Sequence, residues 1–95
     1  MNELPTLTGA EKSRLRGRGQ TLEPSLKIGR EGASAAVLTS LQTLLSAHDL
    51  VKVRYTAADR DERHTLNTVL AEGSHSLFVG SVGSTALFYR PKASA

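Results

Sequence analysis

Gly29 and Gly32 enclose Arg30 and Glu31 immediately before a long helical pattern, and this is the most informative local feature of the chain. Glycine lets a backbone come close to a phosphate, and the first amides of a helix point outward with the positive end of the dipole behind them. Arg30 adds a planar fork of donors for the same anion. The chemistry on offer is therefore anion binding rather than bond making. A strand-to-helix turn without any ligand carries the same glycine signature, so the neighbouring residues have to decide. Residues 12 to 30 hold Lys12, Arg14, Arg16, Arg18, Lys27 and Arg30 against the single acid Glu23. That stretch is +5 where the whole chain is +3, leaving −2 for the rest. Such asymmetry points to a polyanion, either nucleic acid or an anionic membrane surface. Lys52 and Arg54 share one side of a strand pattern and extend the basic set, or form an ordinary solvated face.

Catalytic signatures are missing. His48, His64 and His75 are scattered, with neither a His-Glu-x-x-His spacing nor a nucleophile elbow. Asp59 and Asp61 are read as helix-start acids rather than magnesium ligands, and His48 as a helix-end residue favoured by the dipole. With no cysteine, thiolate metal sites, disulfides and thiol nucleophiles are excluded. A small hydrolase or transferase would need polar groups to converge in a pocket near the histidines. The aromatics Tyr55, Phe78, Phe88 and Tyr89 all fall in strand patterns where burial is expected. Recognition through phosphates, RNA shape and 2′-hydroxyls therefore fits the composition better than extensive base stacking.

The elements that must position these residues follow from patterning. Thr8 and Glu11 form a capping-box pair, predicting a short basic helix that ends near Arg16 because Gly17 and Gly19 disfavour its continuation. Gln20 to Pro24 is a connection, and Ser25 to Ile28 a short strand before the glycine loop. From Ala33 to His48, Val37, Leu38, Leu41, Leu44 and Leu45 recur at helical spacing. Leu50 to Tyr55 alternates, with Val51, Val53 and Tyr55 on one side and Leu50, Lys52 and Arg54 on the other. Asp59 and Glu62 suggest a second capping box, opening a helix that turns Leu66, Val69 and Leu70 inward and stops at Gly73. His75 to Val82 and Thr85 to Arg90 read as two strands joined by Gly83-Ser84, with Pro91 ending the second. The predicted order is helix, strand, helix, strand, helix, strand, strand: an α/β fold with a mixed sheet. Ninety-five residues suit one compact domain, with its core over about 7–92 and a loose tail at 93–95. The first twenty residues hold no signal-like apolar run and no stretch approaches bilayer length, so a cytoplasmic location is expected.

Leu15-Arg16-Gly17, Leu22-Glu23-Pro24, Ile28-Gly29-Arg30-Glu31-Gly32, His48-Asp49-Leu50-Val51-Lys52-Val53-Arg54 and Leu87-Phe88-Tyr89-Arg90-Pro91 follow one another in a specific order and spacing. Together they make the chain resemble the CRM domain, named for chloroplast RNA splicing and ribosome maturation, in its stand-alone bacterial form. The resemblance runs from about Leu7 to Lys92. It implies about three helices with a mixed four-stranded sheet, similar to the C-terminal domain of a translation initiation factor. It also implies RNA binding through the GxxG loop and adjacent basic surface, and association with precursors of the large ribosomal subunit. One departure is Glu31, since the family commonly carries basic or uncharged polar residues between the glycines. The carboxylate must either turn away from a bound phosphate or weaken the loop.

The expected protein is thus a non-enzymatic RNA-binding factor with ribosomal RNA or the pre-ribosomal large subunit as partner; its oligomeric state is left open, a monomer being favoured. No cofactor, metal, small-molecule substrate or membrane is expected. Its RNA-contacting residues are Lys12, Arg14, Arg16, Arg18, Lys27, Gly29, Arg30, Gly32, Lys52 and Arg54. The alternative is a protein-interaction module that docks on a ribosomal protein or assembly factor without touching RNA.

Overall fold

A computed structural model of the chain describes residues 4–91, so the expected loose tail at 93–95 lies outside the described residues. The elements are α1 (Gly9–Gln20), β1 (Leu26–Ile28), α2 (Ala35–Ala47), β2 (Leu50–Tyr55), α3 (Arg60–Ser74), β3 (Leu77–Val82) and β4 (Thr85–Tyr89), in the predicted order. The strands form one four-stranded sheet in the order β1-β2-β4-β3. β1 runs parallel to β2, while β4 is antiparallel to both β2 and β3, so the sheet is mixed.

Both capping boxes form. Thr8 Oγ1 accepts from the Glu11 amide at 3.1 Å and Glu11 returns to the Thr8 amide at 3.0 Å. Asp59 and Glu62 repeat the exchange at the start of α3, at 2.9 and 3.3 Å. Each pair satisfies amides that a helix start would otherwise leave unpaired.

The alternation of β2 divides the interior in two. Val51, Val53 and Tyr55 join Ile28, Leu41, Leu45, Leu70 and Phe88 in the larger core, covered by α2 and α3. On the opposite face Leu50 packs with Leu15, Val79 and Leu87 beneath α1. Val79 sits at an irregularity of β3, between the Phe78 and Gly80 pairings, which directs it into this second core.

Several boundaries depart from the pattern-based expectation. α1 continues through Gly17 and Gly19 to Gln20. Its last turn is held from outside the helix, because Lys52 Nζ donates to the Gly19 and Leu22 carbonyls at 3.2 and 3.3 Å. Gly19 is buried, and a methyl group at this position would run into the Leu87 side chain. Packing thus uses the residue that propensity alone would treat as a breaker. α2 begins two residues late, after the cap Ser34, whose Oγ accepts from the Val37 amide at 3.2 Å. α3 runs past Gly73 to Ser74 and is ended by His75 in the left-handed region, φ 56°. β3 accordingly starts at Leu77. Val69, expected inward, is 43% exposed, and Ala71 packs on the core instead.

Because α1 reaches the sheet through Gly19, Gly19→Val is expected to lower unfolding stability by about 1–3 kcal/mol through overpacking against Leu87. Urea denaturation checks this, and an unchanged midpoint would show that α1 is not seated as described.

Candidate nucleic-acid interface

α1 covers only part of its face of the sheet. The pairing Lys52↔Leu87↔Gly80 lies against α1, where Lys52 caps the helix and Gly80 stands beside the Arg16 side chain. One step towards the far ends of β1 and β2 is the pairing Lys27↔Arg54↔Thr85↔Val82, which crosses all four strands. Lys27 and Arg54 belong to the side opposite Ile28, Val53 and Tyr55, so both face away from the larger core. Neighbouring strands lie about 4.8 Å apart, so the two cations are side by side. Both are exposed, and neither forms an ion pair or side-chain hydrogen bond among the described residues. A groove of about 540 Å³ runs alongside, lined by Arg16, Gln20, Lys52 and Arg54 among others.

The glycine loop leaves β1 at the same end of the sheet. Its base is fixed by Thr56, whose amide and hydroxyl donate to the Ile28 carbonyl at 2.9 and 3.3 Å. The Gly32 amide closes a turn onto the Gly29 carbonyl at 3.2 Å, with Gly32 at φ 59°, a conformation that favours glycine. Arg30 is exposed and has no ion pair or side-chain hydrogen bond among the described residues. Glu31 does not turn away: its Oε1 accepts from the Gly29 amide at 3.3 Å. The loop therefore holds its own carboxylate against a backbone donor that a phosphate would use. Beside it a cleft of about 480 Å³ opens between Arg30 and Gly32 on one wall and Asp61 and Leu66 on the other, floored by Ala57 and Ala58.

The remaining sequence-selected cations are distributed differently. Lys12 and Arg14 are exposed on α1. Arg16 Nη1 reaches the Val79 carbonyl at 3.5 Å. Arg18 turns to the other end of β2, where its two Nη atoms lie 2.8 and 3.2 Å from the Asp49 carboxylate oxygens. Lys52 is only half-buried, but its ammonium is spent on α1. Arg16 and Arg54 thus line one groove, Lys27 is the register partner of Arg54, Arg30 stands on the loop that follows β1, and Arg18 is set apart. Thr85 belongs to the same row but was not selected from the sequence; only the register, through Arg54, identifies it. Of the four aromatics expected to be buried, Tyr55 and Phe88 are, Tyr89 is half-buried, and Phe78 is exposed beside Phe88 at the edge strand β3.

The CRS1/YhbY (CRM) domain family model matches residues 7–90. The chain belongs to this family. It is 37% identical over 84 residues to a probable RNA-binding protein of Pseudomonas aeruginosa, covering 88% of this chain and 81% of that one. It is 27% identical to an RNA-binding protein of Haemophilus influenzae over 97% of this chain and 93% of the relative. The solution structure of a hypothetical protein from Staphylococcus aureus superposes with a TM-score of 0.83 at 27% identity, over 94% and 93% of the two chains. Among the described residues of this CRM domain, no helix is long and apolar enough to cross a membrane, and no group of His, Cys, Asp and Glu is arranged to hold a metal.

Within the CRM fold the Arg18–Asp49 pair ties α1 to the start of β2. The Arg18 guanidinium holds the Asp49 carboxyl below its usual range, against the opposing effect of partial burial. A carboxylate depressed in the folded state contributes stability above its unfolded pKa and loses it as pH falls through the folded value. Exposure limits the contribution to about 1 kcal/mol or less. Asp49→Asn is therefore expected to lower Tm at neutral pH, with the gap to the native chain closing in acid. A gap that stays constant across an acid titration followed by circular dichroism would contradict this role.

Proposed function

We propose that this protein binds RNA through the open Lys27–Arg54 row and the adjoining glycine loop, in the cytoplasm, as a factor acting on ribosomal RNA or large-subunit precursors during ribosome assembly. The observation that carries the reading is the juxtaposition of Lys27 and Arg54 as register partners, neither with an ion pair or side-chain hydrogen bond among the described residues, on a sheet face that α1 leaves uncovered. The RNA-binding names of the relatives support the ligand class.

In this reading Lys27, Arg30 and Arg54 pair with successive backbone phosphates. Gly29 and Gly32 allow close approach of the loop, and Arg16, Lys12 and Arg14 widen the field along α1. Lys52 and Arg18 act mainly from behind, holding α1 in place, and contribute to the potential rather than to direct contacts. The shortage of exposed rings makes phosphates and 2′-hydroxyls the recognised features. Nothing in this set performs bond chemistry, and the domain acts as a single unit.

Affinity for ribosomal RNA fragments over a salt series tests the proposal. With about five phosphates engaged in a single-stranded region, log K is expected to fall against log salt with a slope of roughly −3.5. The double variant Lys27→Glu, Arg30→Glu is expected to lose at least about tenfold in affinity and to flatten that slope. Weak binding indifferent to both salt and charge reversal, with a partner retained after RNase treatment, would favour docking on a ribosomal protein or assembly factor instead.

Glu31 supplies an independent check in the same assay. Removing its charge from the loop as Glu31→Gln is expected to tighten RNA binding by roughly threefold at low salt. Weaker binding by this variant would mean that the carboxylate organises the loop for RNA rather than competing with it.

A further inference from the structure

Arg60, His64 and Asn67 stand at i, i+4 and i+7 of α3 and so share one side of the helix. Across from them is the β3–β4 hairpin end, with Ser81, Gly83 and Thr85. Between the two lies a cleft of about 450 Å³, within the roughly 300–1,000 Å³ span of small-ligand sites.

Its inner wall contains a polar pair. The buried Tyr55 hydroxyl donates to Asn67 Oδ1 at 2.6 Å. Burial pushes the phenol pKa above its ordinary range, so the proton stays in place. Asn67 is itself only 7% exposed. With its oxygen engaged, its Nδ2 group forms no hydrogen bond among the described residues. That nitrogen is not sealed, since no fully enclosed, unpaired side-chain polar atom occurs among the described residues. It therefore opens onto the cleft that Asn67 lines. A largely buried amide whose donors open onto the cleft presents them to an acceptor that enters it.

The mouth of the cleft carries Arg60, His64 and the Asp61 side chain. Arg60 and His64 are exposed and have no ion pair or side-chain hydrogen bond among the described residues, whereas Arg63 is anchored to the Ala58 carbonyl at 2.9 Å. Asp61 lines both this cleft and the one beside the glycine loop, so the two adjoin at the start of α3.

We propose that this cleft takes one nucleotide of the bound RNA strand, its phosphate between Arg60 and His64 and a base or ribose oxygen on the Asn67 amide. The assignment rests on the RNA-binding reading above. The continuity through Asp61 favours a strand that passes from the loop into the cleft over a free mononucleotide, which offers the same chemistry.

The test follows the Asn67 side-chain amide by ¹⁵N NMR, one of two asparagine amides in the chain, during titration with a short oligouridylate and, separately, with uridine monophosphate. The oligonucleotide is expected to shift the Asn67 amide together with the Gly29 and Gly32 backbone amides. The variant Arg60→Ala, His64→Ala is expected to abolish the Asn67 shift, keep the glycine shifts and weaken binding about fivefold. Glycine shifts with an unmoved Asn67 amide would overturn this site while leaving the loop-centred reading intact. A response of Asn67 to the mononucleotide as strong as to the oligonucleotide would overturn the assignment to an RNA strand. If neither the glycines nor Asn67 respond to the oligonucleotide, both readings fall.

Discussion

The two-residue alternation of β2 is the constraint on which the rest of the molecule depends. Val51, Val53 and Tyr55 must enter the core beneath α2 and α3, so Leu50, Lys52 and Arg54 must face the other way. A slip of one residue would exchange the two sets and bury charge, which pins the register firmly. On the second face the same three positions grade from apolar to basic along the strand. Leu50 lies in the core under α1, Lys52 reaches up to cap α1, and Arg54 is left in the open. The covered and uncovered parts of the sheet are thus set by one short strand.

That grading also sorts the cations of the chain by what each is bonded to. The chain carries only +3, but its cations are not equivalent once folded. Asp49 holds Arg18, and the Gly19 and Leu22 carbonyls hold Lys52, whereas Lys27, Arg30 and Arg54 have no ion pair or side-chain hydrogen bond among the described residues. Glu31 moderates this surface from inside the loop by occupying the Gly29 amide. In the proposed reading a phosphate at the loop would replace one anion with another, which would lower the gain from that contact and place more of the binding on the sheet row.

Much of the fold was legible because its signals are local. The two capping boxes, the stripe from Val37 to Leu45, the alternation of β2 and the Gly83-Ser84 hairpin all form as patterning predicts. The departures arise where a distant partner decides. α1 survives its glycines because Leu87 and Lys52 lie far along the chain, and α3 passes Gly73 because His75 adopts the left-handed conformation instead. The candidate site divides in the same way. Residue type and clustering identified the cations, but only the register paired Lys27 with Arg54, and only the fold showed Arg18 turned towards Asp49. The Arg60, His64 and Asn67 stripe was not read from the sequence, where His64 stood only as one of three scattered histidines, and the burial of Asn67 against Tyr55 depends on a contact between separate elements.

The central claim is that availability, not net charge, selects the cations that meet RNA. The most direct measurement compares the RNA affinity of Arg54→Gln with that of Arg18→Gln, two variants of identical net charge. The account predicts a loss of about tenfold for Arg54→Gln, the worth of one charge-assisted contact, and a change of less than about twofold for Arg18→Gln, whose surface ion pair affects mainly stability. Equal losses in the two variants would contradict it, and would reduce the interface to a diffuse electrostatic attraction with no preferred face.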